Sequence, residues 1–215
     1  MPEAASLLGP SSLQPKECDA ALVLKDGTVF WGRGAGADNL AFDNTGGEIC
    51  FNTSLTGYQE ILTDPSYSGQ IITFTCPHIG NVGTNDEDVE ALMPMAKGCV
   101  LAADITEPAN WRSSQQLDTW LKSNNLSAVT GVDTRQLTRR IQDKGFVNGV
   151  IAYSYNQPID VTAAVIAAQA CPQLEGLDLV KEGTCKQTYQ WNESTWVIGQ
   201  GYGTLTKSKF RVVAL

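Results

Sequence analysis

Apolar positions recur loosely over Ala20–Leu24, break at Lys25-Asp26-Gly27-Thr28, and resume over Val29–Trp31. That pattern predicts a β-hairpin with Asp26-Gly27 in a type I′ turn, which needs positive φ at both central positions. Gly32, Gly34, Gly36, Gly46 and Gly47 then predict a loop-rich, mobile connection. Gly32-Arg33-Gly34-Ala35-Gly36 would cradle a phosphate only between a strand and a helix N-terminus, and no helical pattern follows it. Glu48–Thr53 predicts a strand, Tyr58–Leu62 a helical turn that Pro65 stops, and Gln70–Thr75 a second strand rich in Ile and Thr. Pro77, Gly80 and Gly83 predict an exposed polar loop, and Gly98–Ile105 a buried strand.

Farther on, Leu117, Trp120 and Leu121 share one helical face behind a cap at Ser113 or Ser114. Ala128–Val132 predicts a short strand. Asp133 or Thr134 caps a helix with Leu137 and Ile141 inward, ended by Gly145 in left-handed geometry. Phe146–Tyr153 returns as a strand, and Asp160 caps a last helix, Val161–Ala170. Strands mixed with helices give an α/β architecture over residues 19–170, after an extension, 1–18, expected to be disordered. Residues 171–209 read as a linker with a little strand structure, anchored by Trp191 and Trp196. Residues 210–215, FRVVAL, read as a buried strand opening a further domain, so the chain looks truncated.

Composition narrows the function classes. A net charge of −8 argues against a nucleic-acid or anionic-membrane partner. No apolar run approaches the roughly 18 residues that span a bilayer. The N-terminus has neither a signal peptide's basic and apolar regions nor a transit peptide's arginines. The six cysteines form no C-x-x-C pair, so they predict free thiols in a reducing cytoplasm. With a single histidine and no paired cysteines, no zinc or iron site is expected.

Candidate chemistry concentrates between Phe51 and Asp86. Cys76 and His78 could pair as nucleophile and base, but Pro77 separates them and such pairs usually meet from distant segments. The alternative is that His78 ties down its own loop by hydrogen bonds. In Asp64-Pro65-Ser66-Tyr67, Pro65 fixes φ, Asp64 can accept from backbone N–H groups, and Ser66 is presented at the tip. The turn suits contact with a polar ligand or partner, although a plain surface turn has the same sequence. Arg135, Arg139 and Arg140 offer either a patch for an acidic partner or a solvated helix face.

The segments ALVLKDGTVFWGRGAG, GEICFNTSLTGYQEILTDPSYSGQIITFTCPHIGNVGTND and GVDTRQLTRRIQDKGFVNGVI, in that order, resemble the N-terminal region of the small subunit of glutamine-dependent carbamoyl-phosphate synthase. LEGLDLVKE and the final FRVVAL extend the resemblance through the linker. It implies a layered β/β/α domain of the swivelling type, packed against a class I glutaminase domain and a large subunit. The implied enzyme hydrolyses glutamine in the small subunit and passes ammonia through a tunnel to the large one. There it is joined to bicarbonate with ATP, in the cytoplasm, for arginine and pyrimidine synthesis. ATP, Mg and bicarbonate are expected on the large subunit, and no cofactor on this chain. Ser66 matches a serine of the family's glutamine site, and Asp64 an acidic residue near the ammonia passage at the subunit interface. The family's nucleophilic cysteine elbow, G-x-C-x-G-x-Q, is absent, so no catalytic residue is assigned and the chain by itself is expected not to hydrolyse glutamine. A stand-alone protein-interaction module with no catalytic role is the alternative.

Overall fold

A computed structural model describes residues 13–214. The chain divides into two compact units, the first running to Asp178 and the second from Leu179. Among the described residues of the first, seven strands close into a barrel: β1 (Ala20–Leu24), β2 (Val29–Gly36), β3 (Gly46–Asn52), β4 (Gln70–Phe74), β5 (Gly98–Val100), β6 (Ser127–Thr130) and β7 (Val147–Tyr153). Around the barrel the order is β1-β2-β6-β5-β4-β3-β7, with β7 returning to β1. Strands β3 to β6 run parallel to one another, and the other pairings are antiparallel. The helices are α1 (Phe42–Thr45), α2 (Tyr58–Thr63), α3 (Leu117–Ser123), α4 (Thr134–Lys144) and α5 (Val161–Ala170).

Closure follows from strands that are apolar on both faces. In β1, Ala20, Leu22 and Leu24 join Ile49, Ile71 and Val100 in one core, to which α4 adds Leu137 and Ile141. The intervening Ala21 and Val23 face Val161, Ala164 and Val165 of α5. In β4 the alternation is the same: Ile71 belongs to the first core, while Ile72 and Phe74 pack with Leu62 of α2 and Leu117 and Leu121 of α3. In these two strands a period of two therefore sends alternate side chains to the common core or to a covering helix, whereas β2 leaves Arg33 exposed. The observed α/β architecture is thus a closed barrel with helices against its walls.

Local chemistry explains where the elements fall. Asp133 accepts from Gln136 N–H at 2.8 Å and Asp160 from Ala163 N–H at 2.9 Å, each capping its helix as expected. Gly145 follows α4 with φ of 81°.

Several expectations are corrected. In the β1–β2 turn only Gly27 has positive φ (84°), so this is a three-residue loop with Gly27 in the left-handed position, not a type I′ turn. The glycine-rich segment is not a mobile loop, because Gly32–Gly36 lies within β2 and Gly46 and Gly47 open β3. Its composition answers a close approach across the sheet: a Cβ on Gly34 would fall 2.0 Å from the Tyr153 ring. The strand expected over residues 98–105 shortens to three residues. Ser113 and Ser114 do not cap α3; Ser114 Oγ donates to Thr84 O at 3.0 Å, and Gln116 precedes the helix without a side-chain cap. The loop after β4 is partly interior, with Ile79 and Thr84 buried.

Residues 1–12 of the expected extension, and residue 215, lie outside the described residues. Within 13–18, the Gln14 side chain donates to Cys18 O at 2.7 Å and accepts from Ile159 N–H at 2.9 Å. Beyond α5, Asn148 Nδ2 donates to Cys171 O at 2.8 Å, which ties this part of the expected linker to the first unit. The second unit holds a short helix, α6 (Val180–Gly183), and isolated bridges Glu193↔Thr204 and Val197↔Gly201. Trp191 is exposed, whereas Trp196 is half-buried. Phe210, Val212 and Val213 are exposed, and residues 210–214 pair with no strand among the described residues.

Candidate functional site

The crossover from β3 to β4 carries the Asp64–Tyr67 turn. Asp64 takes extended backbone angles (φ −70°, ψ 121°), the conformation favoured before proline, and Pro65 opens a single 3-10 turn, Pro65–Tyr67. Ser66 N–H donates to Asp64 Oδ1 at 2.8 Å, Tyr67 N–H to Asp64 O at 3.0 Å, and Ser68 N–H to Pro65 O at 3.0 Å. Three hydrogen bonds over five residues hold the turn, and Ser66 is exposed at its tip with its side chain outside them. Asp64 is half-buried, and its carboxylate is engaged in fixing Ser66.

The turn is also fixed from a distance. Asn52, the last residue of β3, donates from Nδ2 to the Tyr67 hydroxyl at 3.0 Å, while its Oδ1 accepts from Ser54 N–H at 2.8 Å. Helix α2 is clamped to the following loop by Gln59, whose side chain donates to Asn85 O at 2.6 Å and accepts from Asn85 N–H at 3.0 Å. Tyr58 O–H donates to Gly83 O at 2.5 Å, and burial pushes the Tyr58 phenol up to about 12. Glu60, half-buried on the same helix, has its carboxyl pushed up by burial, with Asp88 and Glu90 adding repulsion.

The other candidates resolve less favourably. Cys76 is half-buried, its thiol 3.9 Å from Leu55 O, and His78 is exposed with no hydrogen bond among the described residues. His78 therefore does not tie down its loop; Tyr58 and Gln59 do. Burial pushes Cys50 and Cys99 up to about 12, so these thiols are packing groups and not nucleophiles. Arg140 ion-pairs with Asp26 in the hairpin, while Arg135 and Arg139 are exposed beside an open cleft of about 460 Å³ that Asp133 and Asp143 also line. The arginine face is thus partly neutralised. No group of three or more His, Cys, Asp or Glu among the described residues could hold a metal ion. No helix among them is long and apolar enough to cross a membrane.

The sequence profile described as "Carbamoyl-phosphate synthase small chain, CPSase domain" matches residues 22–151, which include the whole barrel except the ends of β1 and β7. The chain belongs to the carbamoyl-phosphate synthase small-chain family. It is 52% identical over 202 residues to the carbamoyl phosphate synthase small chain of Rhizobium meliloti, covering 91% of this chain and 49% of that protein. The small chain of Bradyrhizobium diazoefficiens is 49% identical over 200 residues, again with 91% of this chain covered. That of Brucella anthropi is 47% identical over 219 residues and aligns with all of this chain and 52% of its own length. The chain spans about half the length of the curated relatives it matches.

Within this carbamoyl-phosphate synthase small-chain domain, Asp64 and Ser66 meet in one hydrogen-bonded turn, while the thiols and the arginines lie apart from it. Sequence reasoning missed Asn52 and Gln59, and named Tyr67 only as a member of the turn, without its bond to Asn52. An asparagine two residues before Ser54 signals an Asx-type bond, but nothing in the sequence pairs its free amide with a phenol fifteen positions later.

Proposed function

We propose that this chain is the N-terminal domain of the glutamine amidotransferase subunit of a carbamoyl-phosphate synthase, a ligase making carbamoyl phosphate from glutamine, bicarbonate and ATP. In this reading it docks the large subunit, packs against a class I glutaminase domain, and completes the glutamine site from outside. The observation that carries it is the family match across the barrel, joined to a rigid turn that presents Ser66.

Ser66 supplies a hydroxyl that can donate to a carbonyl or carboxylate oxygen and accept from an amine or amide, the polar groups at the two ends of glutamine. Because the turn is fixed before substrate arrives, little ordering cost attaches to that contact. Asp64 has a double role: it holds Ser66 N–H and places a carboxylate at the subunit interface, beside the ammonia passage. The nucleophile, its base and the oxyanion hole come from the glutaminase domain, and ATP, Mg and bicarbonate bind the large subunit. Support for this division of labour lies in the buried, unactivated Cys50 and Cys99 and in the lack of any cysteine elbow in the sequence. The barrel with its helical covers is read as this family's layered β/β/α swivelling-type domain. The setting is a cytoplasmic heterodimer in arginine and pyrimidine biosynthesis.

Co-purification with a large subunit, with and without a separately supplied glutaminase domain, tests the proposal. Glutamine-dependent synthesis is expected only when all three parts are present. Capture of the large subunit with no gain of glutamine dependence would reduce the chain to an interaction module.

A further inference from the structure

We propose that Asn52 is a positioning residue for the Ser66 hydroxyl, acting through Tyr67. The inference rests on the reading of Ser66 as part of the glutamine site. Among the described residues Ser66 has no side-chain hydrogen bond that would orient its turn from outside, and its immediate neighbours are Pro65 and Tyr67. The Asp64 bonds shape the turn internally but do not fix it against the barrel. Tyr67 supplies that anchor: its ring packs against the core that includes Tyr58, Ile72 and Phe74, and its hydroxyl lies 3.0 Å from Asn52 Nδ2.

The direction of that bond is determined by chemistry. Ser54 N–H can only donate, so the Asn52 oxygen 2.8 Å away must accept, and the amide nitrogen is left facing Tyr67. Asn52 is itself immobilised, since its carbonyl accepts from Thr75 N–H at 3.1 Å and from Thr75 Oγ1 at 3.3 Å. A chain of bonds thus runs from the β3–β4 pairing through Asn52 to Tyr67, one residue from Ser66. Without the Asn52–Tyr67 bond the Tyr67 ring and buried Ser68 still hold the turn, but the turn loses its hydrogen-bonded link to β3, and small displacements of a binding group are costly.

The test uses the assembled enzyme, with this chain, its glutaminase domain and the large subunit. Asn52→Ala and Tyr67→Phe are each expected to raise the glutamine KM roughly three- to tenfold, as for loss of one hydrogen bond, and by no more than Ser66→Ala does, with kcat little changed. The double variant is expected to be no worse than either single one, because the two residues act through one bond. Asn52→Asp provides the rescue: its carboxylate accepts from Ser54 N–H and from Tyr67 O–H, so it restores the KM while the Tyr67 hydroxyl is present and fails to do so in the Tyr67→Phe background. Ser66→Ala, measured in parallel, separates the two levels. If Ser66→Ala leaves the glutamine KM unmoved, the glutamine-site reading falls. If Ser66→Ala raises it while Asn52→Ala and Tyr67→Phe do not, or if Asn52→Asp rescues equally without the Tyr67 hydroxyl, the positioning role is overturned.

Discussion

Replacing Gln59 by Leu tests whether the segment around the Ser66 turn is held as described. Gln59 is 3% exposed and sits on α2, the helix that leads directly into the turn. Its side chain satisfies both the N–H and the C=O of Asn85, at 3.0 and 2.6 Å. Leucine keeps most of the volume but leaves both peptide groups without their partner. A hydrogen bond contributes about 1 kcal/mol net, and an unsatisfied buried group costs about 1–3 kcal/mol. Asn85 is only half-buried, so water recovers part of the loss, and we expect about 2 kcal/mol of destabilisation. For a chain of this size that lowers Tm by about 4–8 °C. Urea unfolding gives the free energy, and hydrogen exchange at the Asn85 amide gives the local effect. A loss below about 0.5 kcal/mol with the Asn85 amide still protected would refute the claim that Gln59 clamps the loop.

Three further outcomes follow from the same physical picture. Glu60→Gln should increase stability at neutral pH, because burial raises the folded-state pKa of this carboxyl: its favourable contribution is complete below the unfolded-state pKa and is lost as pH rises through the folded one. The advantage of the Gln variant should therefore vanish on acidification, as followed by urea unfolding across pH. Gly34→Ala should destabilise by about 1–3 kcal/mol through overpacking against the Tyr153 ring, and Tyr153→Leu should relieve part of that cost in the double variant. In thiol-reagent labelling at neutral pH, exposed Cys185 should react in the folded chain, while Cys50 and Cys99 should react only after unfolding.

Features governed by neighbours in the chain were legible in the sequence. Asp133 and Asp160 announce their helices because a cap acts over three residues, and Asp64-Pro65-Ser66 announces its turn for the same reason. Features governed by distant neighbours were not. The glycines of β2 read as a loop until Tyr153 is placed over Gly34, and Ser113 and Ser114 read as caps until Thr84 is brought beside Ser114. Barrel closure depends on β7 pairing with both β1 and β3, and on β2 meeting β6, contacts that no local periodicity encodes. The candidate site divides in the same way: Ser66 was visible, whereas Asn52 and Gln59 act through partners 15 and 26 positions away.

The most direct test of the account is the glutamine KM of the assembled synthase carrying Ser66→Ala, with ammonia-dependent synthesis measured on the same preparation. Loss of one hydrogen bond to substrate predicts a roughly three- to tenfold rise in the glutamine KM, with ammonia-dependent synthesis persisting. A glutamine KM within about twofold of the unsubstituted enzyme, less than one lost hydrogen bond would cause, would contradict the placement of this turn in the glutamine site.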